Sequence, residues 1–314
     1  MPYVLRKTLQ FFLTIFLVTL IVFVLFSVIP GDSARLILGP NASTDQVDAL
    51  REELGLNLPL GQRYLSWISG FITGNPGNSV RFGQPVAELI GDRLPVTLTL
   101  SGLALCITVL LSIPIGIVSA KKPGGVTDQI LSVCVHVFMA LPGFVVGLLL
   151  TLLLGSVFSV FVVGSFVPFG DNPWLFIGSL LVPALAAALP KVAMTAKFVR
   201  ASCIEESRKD YVRTAKSRGL SDAQVMRRHI LPNALLPCLT VLAMTAAELL
   251  GGSLIVEETF NLPGLSRLLL QGVSSRDFPL VQGIVVYSAV LVIFLHFATD
   301  MVHSKLDPRG FSNT

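Results

Sequence analysis

Charge is what this sequence has least of. Only 13% of its 314 residues are Asp, Glu, Lys or Arg, and 53% are hydrophobic, with a mean hydropathy of +0.75. An average soluble domain carries about 25% charged residues. No low-complexity segment makes up the difference, so the apolar excess must face lipid or other apolar helices. A soluble globular fold is excluded. Cysteine is also scarce. Cys106, Cys134, Cys203 and Cys238 stand apart with no C-x-x-C pair, which speaks against a disulfide framework or a zinc site.

Catalytic and nucleotide-binding patterns are missing too. There is no G-x-x-x-x-G-K-[ST] run to cradle phosphates, and Gly251-Gly252 lacks the lysine such a loop needs. There is no H-E-x-x-H and no G-x-S-x-G. Within or beside the apolar runs the ionisable residues reduce to Glu248, His136, Lys191, Asp300 and His296. No Ser or Asp pairing suits an intramembrane hydrolase. An internal repeat, common in secondary transporters, is not visible.

What is present is a series of long apolar runs. Residues 9–29 are long enough to cross a hydrocarbon core, which takes about 20 residues. Further spans are expected near 96–118, 129–155, 173–196, 235–256 and 281–302. The fold class is therefore an all-α polytopic membrane protein with six transmembrane helices, a single integral domain over 1–314. Arg6 and Lys7 precede the first run, and Pro30-Gly31-Asp32 follows it instead of a small-residue cleavage site, so a retained span is expected. With a cytoplasmic N-terminus, 15 of the 23 Lys and Arg fall on the inner side, as the positive-inside rule requires. Both termini are then cytoplasmic.

The outer segment 30–94 holds seven acids and five bases. Ser43 to Gln46 has capping-box spacing and opens an amphipathic helix expected to stop at Gly55. Pro59 starts a second short helix through Tyr64 and Trp67 to about Ile72. Their rings suit a membrane surface. Asn41-Ala42-Ser43 matches a glycosylation sequon, a triplet too common by chance to weigh here.

Residues 197–233 concentrate the basicity. Nine Lys and Arg face four acids, a local net of +5 against +4 for the whole chain. The pattern reads as two helices with a sharp bend. Gly219 takes the left-handed position that ends a helix. Ser221 to Gln224 is a capping box opening the next, and Pro232 is expected to end it. The bland reading is a loop that only sets orientation, or one that holds anionic lipid. Two capped helices exceed what charge alone needs. Tyr211, Val212, Ala215, Leu220, Val225 and Met226 are interleaved with the bases, which suits a packed contact with a cytoplasmic protein.

Glu248 lies about 22 Å into its helix from Asn233 at 1.5 Å per residue. A carboxylate there must face a bundle interior or an aqueous path. It is either a pore-lining acid or a buried Glu bonded to a neighbouring helix. Gly251 and Gly252 would allow close helix approach. His136 is more simply a packing residue, as are Met139, Met194 and Met244, although a path lining is open to them. Lys191 can snorkel from its span end. His296 and His303 read as interfacial.

At the elbow the sequence resembles the membrane permease subunits of bacterial ABC importers. Their signature is E-A-A, three residues, Gly, nine residues and I-x-L-P. Arg213-Thr214-Ala215, Gly219 and Leu231-Pro232 keep that spacing, with Arg213 in place of the Glu and His229 in place of the Ile. DYVRTAKSRGLS and RRHILPNALLP resemble the peptide/nickel branch. So do ELGLNLPLGQRY (53–64), PVTLTL (95–100), ALP (140–142), VEETFNLPGLSRLL (256–269), RDFPLVQG (276–283) and LDPR (306–309). The long outer loop resembles the first of the two permeases such systems pair.

The resemblance implies a type I importer-like fold, in the cell inner membrane, forming half of a translocation pore for short peptides. The alternatives are nickel or a metal chelate and, less in keeping with the pattern, a self-contained secondary carrier or a non-transporting scaffold. It implies a second homologous permease, two cytoplasmic ATPases that bind ATP and Mg, and an extracytoplasmic substrate-binding protein. No cofactor, metal site or catalytic residue is expected on this chain. Coupling to the ATPase would fall to Asp210, Tyr211, Arg213, Thr214, Ala215, Gly219, Leu220, Ser221, Leu231 and Pro232. Glu248, Gly251, Gly252, His136 and Met139 are the pore or gate candidates.

Overall fold

The computed structural model describes residues 3–28, Arg35, Leu38, 42–53, 57–157 and 164–306. Pro30-Gly31-Asp32, Asn41, Gly55, part of the loop after the third span and all but the first residue of LDPR lie outside them. Among the described residues the structure is helical, with one isolated bridge between Asn78 and Pro85.

Among the described residues, five helices are long and apolar enough to cross a membrane: Val4–Val28, Val86–Lys121, Pro173–Ser207, Asp222–Gly251 and Phe278–Val302. A sixth crossing is available if Val126–Ala140 and Gly143–Gly155, bent by 103° at Leu141-Pro142, form one broken span. The span expected at 129–155 is thus broken near its middle. Pro142 has no N–H to continue the ladder, and the backbone of Leu141, the residue before it, is extended. Two further spans run longer than expected. The second begins at Val86, and the fourth continues to Ser207 into the basic region. The fifth is shorter at its far end: its helix stops at Gly251, and a separate short helix occupies Leu254–Thr259.

The chain forms two compact units. One contains residues 1–95 with 263–294. Here α1 (Tyr3–Val28) meets α3 (Leu60–Ile72), while α2 (Thr44–Glu53) opens on the expected capping box, with Ser43 and Gln46 bonding reciprocally. Tyr64 and Trp67 turn toward α1. Their rings lie 5.4 and 5.6 Å from that of Phe23, and the Tyr64 hydroxyl bonds Thr19 Oγ1 at 2.9 Å. The unit's core joins the start of α4 (Val86–Lys121) to Leu265 and Leu268 of α12 (Leu265–Ser274) and to Leu280 and Ile284 of α13 (Phe278–Leu306). Buried Asp277 holds the 79–82 turn: it accepts from Ser79 Oγ at 2.5 Å and from the Arg81 amide at 3.1 Å.

The other unit contains 96–262 and 295–314. Its axis is α7 (Pro173–Ser207), opened by Asn172, whose side chain accepts from the Trp174 and Leu175 amides. Around it pack α5 (Val126–Ala140), α6 (Gly143–Thr151) and α10 (Leu231–Gly251). In lipid, apolar side chains gain nothing from leaving water, so helices associate through close van der Waals fit. Small residues provide it. A Cβ on Gly116 would sit 2.6 Å from Val199, and one on Gly147 would sit 2.9 Å from the Phe260 ring. Leu100, Leu180, Ala184, Ala188 and Phe260 are almost wholly buried in this core.

Candidate functional site

The basic elbow folds as its local signals require. Helix α8 (Asp210–Ser217) ends at Gly219, whose φ is +85°, and the Gly219 amide bonds the Lys216 carbonyl. Ser221 and Gln224 form the complete capping box of α9 (Asp222–Val225). Lys216 Nζ reaches Asp222 at 2.9 Å, closing the bend between the two helices.

Pro232 does not end this helix. From Val225 the chain passes through a π-helical turn, Met226–Ile230, directly into α10. A proline inside a helix has no N–H for the carbonyl four residues back and crowds it. The wide turn just ahead of Pro232 absorbs that conflict without a break.

The apolar residues of the elbow face inward. Val212, Ala215 and Val225 are buried with Val199, Cys203, Ile230, Ala234 and Cys238, and Leu220 and Met226 pack at the edge. Their interleaving with the bases therefore marks an amphipathic helix seated on its own bundle, not an apolar docking surface. Tyr211 adds a polar lock. Its hydroxyl donates to Glu206 Oε1 at 2.5 Å, lies 3.2 Å from the His229 carbonyl and accepts from Asn233 Nδ2 at 3.3 Å. Ser202 Oγ donates to the Ala234 carbonyl at 2.8 Å, fixing α7 to α10. What the elbow presents outward is polar: Asp210, Arg213, Thr214, Lys216, Ser217, Arg218 and Gly219 are exposed, with Leu231 half-buried and Pro232 and Ser221 exposed.

A cavity of about 600 Å³ lies between α4, the α5–α6 break, α7 and the end of α10. Its walls include Leu100, Ser101, Pro142, Pro190, Gly251 and Gly252. Its charged members are Lys191 and Glu248, which form an ion pair across α7 and α10. Lys191 thus points to a partner and does not snorkel. The pair is open: side-chain exposure is 27% for Lys191 and 48% for Glu248. Gly251 has open space around it, and Gly252 is tight only against the Glu248 carbonyl of its own helix, so neither serves helix approach. Ser101 Oγ donates to the Leu249 carbonyl at 3.0 Å and ties α4 to this wall.

His136 and Met139 are elsewhere. His136 Nδ1 lies 2.6 Å from the Ser132 carbonyl, and its ring borders a smaller cavity of about 60 Å³ with Lys197 and Arg200; Met139 is exposed. Sequence reasoning missed Lys191 as the partner of Glu248. The available signal was that intramembrane charges of opposite sign tend to pair. It also missed Glu257 in α11 (Leu254–Thr259). That residue is fully buried, and its Oε1 accepts from Thr97 Oγ1 at 2.8 Å and Ser253 Oγ at 2.9 Å.

The chain thus combines several helices able to cross a membrane, a basic elbow packed on its own bundle and a charged cavity among the helices of one unit. The profile of binding-protein-dependent transport system inner membrane components matches residues 112–311, and the profile of the N-terminal part of such membrane components matches residues 1–101. A putative peptide transport system permease protein of Brucella suis is 34% identical over 306 residues, covering 98% of each chain. The oligopeptide transport system permease protein AppB of Bacillus subtilis is 33% identical over 310 residues, also covering 98% of each. Among solved structures, the MetNI methionine ABC transporter in inward-facing conformations matches with a TM-score of 0.55 at 17% identity, over 70% of this chain and 96% of that one. The chain belongs to the family of binding-protein-dependent transport system inner membrane components. It is a permease subunit of an ABC importer with the type I importer fold, and ATP is hydrolysed on separate subunits. ATPase and substrate-binding partners follow from that membership.

Proposed function

We propose that this chain, acting as one integral domain, forms half of the pore of a short-peptide importer. A second homologous permease forms the other half. Two ATPases, carrying ATP and Mg, sit beneath, and an extracytoplasmic binding protein delivers cargo. The relatives' names support peptide cargo, and nickel or a metal chelate is not favoured. Both termini are cytoplasmic in this reading, and the membrane is the cell inner membrane.

The observation that carries the reading is the elbow. Its apolar underside is held by the chain's own bundle, so its polar outer face is left for another protein. Asp210, Arg213, Thr214 and Ser221 lie on that face; Tyr211, Ala215, Gly219, Leu220, Leu231 and Pro232 hold its shape. Because the elbow is packed rigidly onto α7 and α10, ATP-driven closure of the ATPases moves those helices with it. Glu248, Gly251 and Gly252 line the path, with His136 and Met139 on the neighbouring helix α5.

The test is a gentle detergent extraction of the tagged chain from its native membrane, followed by identification of what remains bound. A second permease with P-loop ATPases is the expected result. Recovery of the chain alone, under conditions where other multisubunit importers survive, would overturn the assembly.

A further inference from the structure

We infer that Lys191 and Glu248 are exchangeable partners for the two ends of a zwitterionic peptide, which displaces their ion pair on entering the cavity. This rests on the peptide-import reading and names what the path recognises. Three observations carry it.

The first is the chemistry of the wall. The cavity is otherwise lined by apolar and small side chains, and among the described residues Lys191 and Glu248 are its only ionic groups. The two opposite charges satisfy each other at the cavity wall, where both side chains stay partly exposed. A free peptide brings one ammonium and one carboxylate. Ammonium to Glu248 and carboxylate to Lys191 is a charge-conserving exchange. A metal cation would meet Glu248 but be repelled by Lys191.

The second is how the pair is held. A structural staple in the same unit looks different at its acid: Asp128 is 4% exposed against 48% for Glu248, and Arg200, itself 32% exposed, grips it through two bonds. The Lys191–Glu248 contact is a single bond between half-open side chains. Lysine is a point charge on a flexible stem, suited to swinging away where a bidentate guanidinium is not.

The third is size. A volume of about 600 Å³ falls within the range of about 300–1,000 Å³ typical of small-molecule sites. Two extended residues span about 7 Å, short enough for both ends of a dipeptide to be held inside.

The experiment measures equilibrium binding of dialanine, N-acetyl-dialanine and dialanine amide to the assembled complex without its binding protein. Wild type is expected to lose about tenfold or more on blocking either end, the usual size of a charge-assisted bond. Glu248→Gln should bind dialanine more weakly and become indifferent to N-acetylation while still sensing amidation. Lys191→Gln should show the reverse, and Glu248→Asp should retain sensitivity to both. A merely structural pair would weaken all three ligands alike, and that pattern, or wild-type indifference to blocking, would overturn the inference. ATP-driven uptake by the complete complex separates this from the wider reading. If wild type imports dialanine but the blocking pattern is absent, only the recognition role falls. If wild type imports no peptide, the peptide reading falls as well.

Discussion

Arg200 and Asp128 are joined by two parallel hydrogen bonds of 2.7 Å each, Nε to Oδ1 and Nη2 to Oδ2, between α7 and the first turn of α5. The Gly124 amide adds a third bond to Asp128 at 2.8 Å. The turn before α5 is thereby fastened to the axial helix of its unit. Such fork-to-carboxylate pairs are both strong and directional.

Asp128→Asn should therefore lower the detergent-solubilised thermal midpoint, at a cost of about 1–3 kcal/mol for a charge-assisted bond. Arg200→Gln should cost a similar amount or more, because it strands a nearly buried carboxylate. The double variant should cost less than the two singles together. Midpoints read by fluorescence-detected size exclusion check this, and additive losses would show that the two residues act separately.

At the bend of the elbow, Gly219 has nothing within 4 Å of a built Cβ but a φ of +85°. Space is free and conformation is not. Gly219→Val should strain the bend by about 1–2 kcal/mol and sharply reduce cargo-stimulated ATP hydrolysis by the assembled complex, with membrane insertion intact. Gly219→Asn should keep most of the stimulation, since Asn tolerates this region. Equal behaviour of the two variants would remove the conformational argument.

Two neighbours on α8 should behave oppositely. Ala215 is 6% exposed among Val212, Val225 and Cys238, so Ala215→Asp buries a carboxylate and should lower the stability of the isolated chain. Arg213 has a side chain 79% exposed, so Arg213→Glu should leave that stability within about 0.5 kcal/mol and weaken only retention of the ATPase. Thermal midpoints and co-purification ratios separate the two effects. An Arg213→Glu chain that keeps its ATPase fully would place the docking face elsewhere on the elbow.

Helix packing gives a third contrast, between two glycines of α4. Gly116→Ala drives a methyl to 2.6 Å from Val199 and 2.9 Å from the Ala196 carbonyl, an overpacking that costs about 1–3 kcal/mol. Gly102→Ala meets nothing within 4 Å and should be neutral or stabilising by up to about 1 kcal/mol through helix propensity. Midpoint shifts of the same sign and size for both would contradict the fit described for α4 and α7.

The sequence by itself determined the class of the protein and most of the local shape of its elbow. The left-handed Gly219, the Ser221–Gln224 and Ser43–Gln46 boxes and the Pro59 start all depend on residues within a few positions of each other. The family resemblance read from the elbow motif extends over nearly the whole chain. Tertiary structure decided which way residues face and whom they meet. Val212, Ala215 and Val225 looked like a docking surface because composition cannot tell which side of an amphipathic helix has already been covered. Lys191 and Glu248 lie 57 positions apart, and their pairing depends on the rotation and register of two packed helices. The same holds for Arg200 with Asp128 and for Gly116 with Val199. Pro232 marked a helix end by local rule, yet a wide turn upstream, supported by packing onto α7, carried the helix through.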